Sequence, residues 1–409
     1  MTLSRTGLRS MPFLATGFRP FFLAAASWSA VALILWMAVL AGAIELPSRF
    51  DPLSWHIHEM LFGFVLAGIG GFLLTAVPNW TGRAPVAGLP LALLLALWMA
   101  GRAACLVSAM LPAWLGVAVD LSFAVALEAV IARELFAAGN RRNYPLLAPL
   151  AVLIVANLLM HLQAVGLART GDLGWRLGVA GVLVLISVIG GRIVPAFTRN
   201  WLGSRGVVAT MPERVALDRV ALGVLHAGLF AWVFLPAVPA VGVLLLAGAA
   251  LQFWRLARWG GVATTGNVLL AVLHVGYLWL PVGIGLLGLS LLVQAAPPAA
   301  AIHALTGGAF GTMLLAVMTR ATLGHTGRAL HADGATVAIY ALVTAAALLR
   351  IAAAWPSAPA MDLLEAAAAA WVAAFALFVA HYGPMLLGES LSHDSGTESG
   401  KGRSPPRAG

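Results

Sequence analysis

Charge is what this sequence has least of. Of its 409 residues only 10% are Asp, Glu, Lys or Arg, whereas a soluble domain carries about a quarter. A chain this poor in charge cannot cover itself with a water-facing surface. Cysteine is scarcer still, with Cys105 standing alone. That excludes a disulfide framework, a cysteine-ligated iron–sulfur cluster and covalent haem attachment through CxxCH, so any haem is held non-covalently. The sequence also lacks a GxxxxGK[ST] phosphate loop, a GxSxG nucleophile turn and an HExxH zinc helix. Hydrolase and nucleotide-driven pump readings lose their footing.

What the chain has is hydrophobic length. Apolar residues make up 61%, and runs of the roughly 20 residues that cross a bilayer tile it almost end to end. The expected spans are 20–43, 56–77, 89–111, 114–137, 146–167, 174–194, 215–235, 238–257, 265–288, 298–319, 335–354 and 361–383. They are too long and too uniformly apolar for barrel strands, so the expected fold class is an all-α integral membrane protein of about twelve transmembrane helices. Residues 1–387 form one polytopic domain. Residues 388–409 are a Ser/Gly/Pro-rich polar tail, expected to be disordered and cytoplasmic. The first apolar run, Phe21 to Ala43, is too long for a signal peptide and reads as a retained helix.

The net charge of +9 does not imply nucleic acid, because the arginines recur at the ends of apolar runs. One side holds Arg5, Arg9 and Arg19, then Arg83, then Arg133, Arg141 and Arg142. It continues with Arg192, Arg199, Arg205 and Arg214, then Arg255 and Arg258, then Arg320 and Arg328, and ends with Lys401, Arg403 and Arg407. The other side holds mainly Arg49, Arg169 and Arg176, with Arg350 near a helix end. Positive charge marks the cytoplasmic side, so both termini are expected there. Trp55, Trp80, Trp114, Trp175 and Trp355 near span ends suit interfacial belts.

The second and tenth spans align without a gap. His58 falls on His303, Gly63 on Gly308, and Thr81-Gly82-Arg83 on Thr326-Gly327-Arg328. The sixth span aligns more weakly, Pro195 with Pro78 and Thr198 with Thr81. Spans four apart suggest three units of four helices, a kind of repetition common in membrane folds.

Ionisable groups inside a bilayer default to functional readings. The densest group is Trp55-His56-Ile57-His58-Glu59-Met60, at the non-cytoplasmic mouth of the second span. His303 enters the tenth span from the same side at a similar depth. Two histidines at matched depth on different helices suit bis-histidine ligation of a flat b-type haem. His58 and His303 are therefore the expected axial pair, with His56 the rival, because residues two apart on a helix point about 200° apart. Glycines 63, 68, 70 and 71, with 307, 308 and 311, either make room for a macrocycle or let helices pack closely. Copper prefers two or three imidazoles, and the remaining intramembrane donors are His161, His226 and His274. If copper is bound, His226 with His161 or His274 is the expected set. His325 and His331 read as loop residues, His381 as lying near the cytoplasmic side and His393 as tail. Arg102, Asp120, Glu128, Arg219 and Arg350 fall in or near spans without any forced pairing.

Several motifs carry a resemblance. Gly17-Phe18-Arg19-Pro20-Phe21-Phe22, the Trp55–Met60 group running into Phe62-Gly63-Phe64, and Pro78-Asn79-Trp80-Thr81-Gly82 resemble the NnrS family. Gly191-Arg192 through Thr198, and His303 through Arg320 to Arg328, do so as well. The resemblance implies a bacterial inner-membrane protein with haem and copper, linked to denitrification and to relief of nitric oxide stress. Nitric oxide or a related small ligand is then the expected partner, together with an electron donor the sequence does not name. Twelve helices in sets of four also resemble the catalytic subunit of haem–copper oxidases. The chain departs from that subunit in lacking an adjacent His-His pair on the seventh span and in carrying its HxH on the second. Two other readings remain open: a proton- or metal-coupled transporter, and a haem-b electron conduit. The arginine pattern predicts that a reporter active only after export, fused at Gly388, stays silent. Activity of that fusion would reverse the topology.

Overall fold

The computed structural model describes residues 11–207 and 215–391. Arg5, Arg9, Arg214, His393, Lys401, Arg403 and Arg407, and the tail beyond 391, lie outside the described residues. Among the described residues twelve helices are long and apolar enough to cross a membrane: α1 (Phe18–Leu40), α2 (Pro52–Thr81), α3 (Leu89–Leu106), α4 (Ala113–Ala137), α5 (Arg141–Ala164), α6 (Leu173–Gly203), α7 (Val215–Phe234), α8 (Pro239–Ala257), α9 (Val268–Ser290), α10 (Pro298–His325), α11 (Gly334–Ala352) and α12 (Ala360–Leu387). No strand occurs among the described residues. The chain is an all-α, multi-pass membrane protein, and lipid explains why: only a helix satisfies every backbone group within its own segment.

Each helix packs on its neighbour in sequence, and α12 returns to pack on α1, so the bundle closes. Arg19 helps to seal that closure. Its guanidinium donates to the Leu386 carbonyl (3.0 Å) and the Ser390 hydroxyl (2.8 Å) beyond the end of α12. An arginine expected to flank the first span is thus 3% exposed and structural.

Three helices lie deepest. Their most apolar windows are 83% (α2), 61% (α6) and 67% (α10) buried, ahead of α9 at 56%. The same three each contain a π-helical stretch: Glu59–Val65, Ile186–Gly190 and Ala304–Gly311. In α2 and α10 the stretch begins one residue after the aligned histidine, at Glu59 and Ala304. A π turn leaves carbonyls without their usual helical partners, and such turns gather at functional sites. Neighbours supply the missing donors: the Trp98 indole donates to the Gly63 carbonyl (2.9 Å), and Arg255 to that of Ser187 (3.1 Å).

The glycines of α2 and α10 mostly serve packing. A Cβ on Gly63 would meet Trp28 at 2.5 Å, on Gly308 Trp279 at 2.5 Å, and on Gly311 Trp371 at 2.6 Å. Gly307 is the loosest of these, since a Cβ there would meet Ala347 only in ordinary contact at 3.9 Å.

Several helix ends differ from expectation. α6 runs to Gly203 and α10 to His325, past the apolar windows, because amphipathic residues at the interface keep backbone hydrogen bonds better made than exposed. Arg192, Arg199 and Arg320 therefore sit on helices, and His325 ends α10 with its ring tilted against Phe18 at 5.5 Å instead of lying in a loop. Trp55 is 1% exposed and belongs to the core, not to an interfacial belt. Asp333 caps α11, its carboxylate accepting from the Thr336 amide at 2.9 Å and pairing with His381 at 2.8 Å. The amide hydrogen bond holds its pKa below the usual carboxylate value.

Loss of this cap in Asp333→Ala should cost about 1 kcal/mol, read as a lower thermal midpoint in detergent. Because the folded carboxyl titrates below its unfolded value, the cap's contribution is complete at neutral pH. It disappears as pH falls through the folded pKa, so variant and wild type should converge in acid.

Candidate metal centre

Near the start of α2 the sequence places an acid directly after a histidine, and the bundle gathers partners for both. His58 and Glu59 are fully buried. Arg102, from the last turn but one of α3, donates to Glu59 at 2.7 Å and pairs with Asp120 of α4. Asn157 of α5 donates its amide to Asp120 at 2.8 Å. The Trp28 indole of α1 donates to Glu59 at 2.7 Å. Five helices thus meet at one set of charges. α3 and α4 come this close because Gly101 has no side chain: a Cβ there would lie 2.8 Å from Asp120 Oδ1.

His58 is held at both ring nitrogens. Nδ1 faces Glu59 Oε1 at 3.0 Å, and Nε2 faces Asn157 Oδ1 at 2.8 Å and Asp120 Oδ2 at 3.2 Å. All three are acceptors, so this arrangement suits an imidazolium, in which both nitrogens donate. With Arg102 it balances the two carboxylates. His161 of α5 points Nε2 at the same Asp120 oxygen, 3.0 Å away, and Phe50 covers both imidazoles at centroid distances of 4.7 and 5.1 Å. Ligand atoms of His58, Cys105, Asp120 and His161 all lie within 4.8 Å of one another, and all four residues are buried. Two imidazoles, a carboxylate and a thiol form a donor set suited to copper or zinc. An ion here would take the place of the His58 proton, so binding would release protons.

A second group sits at the same end of the bundle. His56 points to the other face of α2, stacked on Trp36 of α1 at 4.8 Å, with its buried Nδ1 lacking a hydrogen-bond partner. Within electrostatic reach are His303 of α10 and Arg350 of α11. His303 Nδ1 lies 2.8 Å from the Ala299 carbonyl and so must donate to it, which leaves the Nε2 lone pair free.

Both groups draw a histidine from the Trp55–Met60 motif, and residues 12–389, nearly the whole chain, match the NnrS protein family. This chain belongs to the NnrS family. No curated protein matches it.

In this NnrS family member the tertiary structure redistributes the expected histidines. His58 does not face His303: the helical turn of about 100° per residue sends it into the Asp120 cluster, and His56 takes the side toward His303. His226, His274 and His161 are not brought together. His161 closes α5 at the end that holds His58. His274 lies in the second turn of α9, at the opposite, arginine-rich end, bonded to Thr198 Oγ1 at 2.9 Å. His226 is mid-span on α7, bonded to Ser187 Oγ at 2.9 Å. Asn157 and Cys105 were absent from the expected sites. An asparagine four residues before His161 was a usable signal, since positions i and i+4 share a helix face. Nothing near Cys105 in sequence marked it.

Removing one partner from a buried ion network strands the others. Arg102→Met should therefore destabilise the protein by about 3–5 kcal/mol, measured by equilibrium unfolding in mixed micelles. A cost within about 0.5 kcal/mol, as for a surface substitution, would show that the network is not a structural anchor.

Proposed function

We propose that this protein is a haem b- and copper-binding protein of the bacterial inner membrane that serves the nitric oxide response in denitrification or nitrosative stress. Family membership supports the setting. The observation that carries the haem reading is His303: its Nδ1 is committed to the Ala299 carbonyl, the arrangement that orients an imidazole to ligate through Nε2. His56 offers a second imidazole with an unpartnered buried nitrogen, and Arg350 a cation suited to a haem carboxylate. His56 and His303 are thus the proposed haem ligands, in place of His58 and His303. His58, Asp120 and His161, with Cys105, are the proposed copper ligands. Haem iron would supply a binding site for nitric oxide once one of the two imidazoles gives way to it. The chain's part is to orient the imidazoles, keep water out with Trp36 and Phe50, and balance charge through Arg350 and Arg102. Turnover of nitric oxide, with an electron donor, is one use of such a site; sensing or sequestration is another.

The test is the visible spectrum and metal content of the purified protein. A Soret band is expected in wild type. It should fall to about one-tenth or less in His56→Ala and His303→Ala but persist in His58→Ala, while His58→Ala and His161→Ala lose copper. Retained haem in His56→Ala with loss in His58→Ala would restore the His58–His303 pair. Absence of any Soret band or copper in wild type would favour the transporter reading.

A further inference from the structure

The three innermost helices do not close completely on one another. At their arginine-rich ends α2, α6 and α10 leave a cavity of about 450 Å³, with Phe72, Asn79, Trp80, Phe197, Arg320 and His325 among its walls. Along the same seam lies a smaller, half-open chamber of about 70 Å³. The two share Phe72, Ile193 and Val317, one residue from each helix. They are therefore two rooms along one line.

The walls repeat. In the outer room the α2 residues 72, 75, 76, 79 and 80 are matched on α10 by 317, 320, 321, 324 and 325, each 245 positions later. His58 and His303 differ by the same 245. The aligned helices thus turn equivalent faces to the seam. At the deep end the chamber reaches Val65 and Phe310, each seven residues from its aligned histidine. At 1.5 Å per residue that is about 10 Å along the helix axis. The π stretches Glu59–Val65 and Ala304–Gly311 fill that interval.

Chemistry narrows the occupant. Every residue lining the inner chamber is apolar, among them Val65, Ile69, Val182, Ile189, Phe310 and Met313. A water molecule needs two to four polar partners, and apolar cavities stay dry while accepting xenon or benzene. One water needs about 10–15 Å³ of such space, so 70 Å³ is ample for a diatomic gas.

We propose that the seam between α2, α6 and α10 is a docking chamber and conduit for a small apolar gas, entered through the outer cavity beside Arg320 and leading toward the histidine level. The inference deepens the nitric oxide reading by giving its ligand a route. The chamber itself stands on size and lining alone.

Xenon tests the chamber without requiring haem. Detergent-solubilised protein should show a saturable xenon site by xenon NMR saturation transfer, lost in Ile69→Phe, which fills the chamber. Ala321→Phe, which narrows the outer cavity, should keep the site but slow xenon exchange by about tenfold. In haem-loaded protein both substitutions should lower nitric oxide association and dissociation rates together, leaving the equilibrium constant unchanged. That pairing is the mark of a blocked path, as opposed to an altered binding site. Val65→Phe, on a different turn of α2, repeats the chamber test should Ile69→Phe fail to fold. No saturable xenon site in wild type overturns the chamber. Xenon bound, with exchange unaffected in Ala321→Phe, overturns the conduit. Loss of the haem reading alone leaves both xenon outcomes decisive.

Discussion

A carboxylate taken out of water into a medium of low dielectric costs several kcal/mol unless it is paired and hydrogen-bonded, and this protein buries two of them side by side. Glu59 and Asp120 are each 0–2% exposed, and the arrangement of α1 to α5 follows from keeping them satisfied. Arg102 bridges both carboxylates, which ties α3 to α2 and to α4. Asn157 and His161 then tie α5 to Asp120, and Trp28 ties α1 to Glu59. The network is a costly way to hold helices together. In lipid, where apolar burial gives no preference for one helix neighbour over another, directional polar contacts supply the specificity that packing alone lacks.

That costly arrangement also decides what the two histidines of α2 can do. His58 is committed to the network and shares Asp120 with His161. His56, two residues earlier, escapes the network and is free to act with His303 across the inner helices. A single HxH thus sends its two imidazoles to opposite faces of one helix, just before the π stretch that begins at Glu59.

The seam between α2, α6 and α10 has a related origin. The bulkiest side chains against α2 and α10 lie elsewhere: Trp28, Trp279 and Trp371 pack on Gly63, Gly308 and Gly311, and none of the three lines the seam. The π stretches widen the same helices. What remains along the axis is a partly polar-walled outer cavity and an inner recess lined only by apolar residues.

Much of the fold was legible in the sequence, because hydrophobic length and the hydrogen-bond demands of lipid act locally. Twelve spans, the all-helical class and the alignment of His58 with His303 needed no tertiary information. Site composition was partly legible: an ionisable residue in a membrane span announces itself, so His56, His58, His161 and His303 were visible as candidates. Their partners were not. Whether His58 meets His303 or His161 depends on helix rotation, which apolar runs hydrophobic on all sides do not encode. Asn157 and Cys105 became site residues only when α5 and α3 were packed against α4. His161 and His274 looked equally available until their opposite ends of the bundle separated them. The sequence by itself determined which helices form and which polar residues they carry into the membrane. Tertiary structure alone decided which of those residues share a pocket, because that is set by contacts between helices remote in sequence and by the need to neutralise two buried carboxylates.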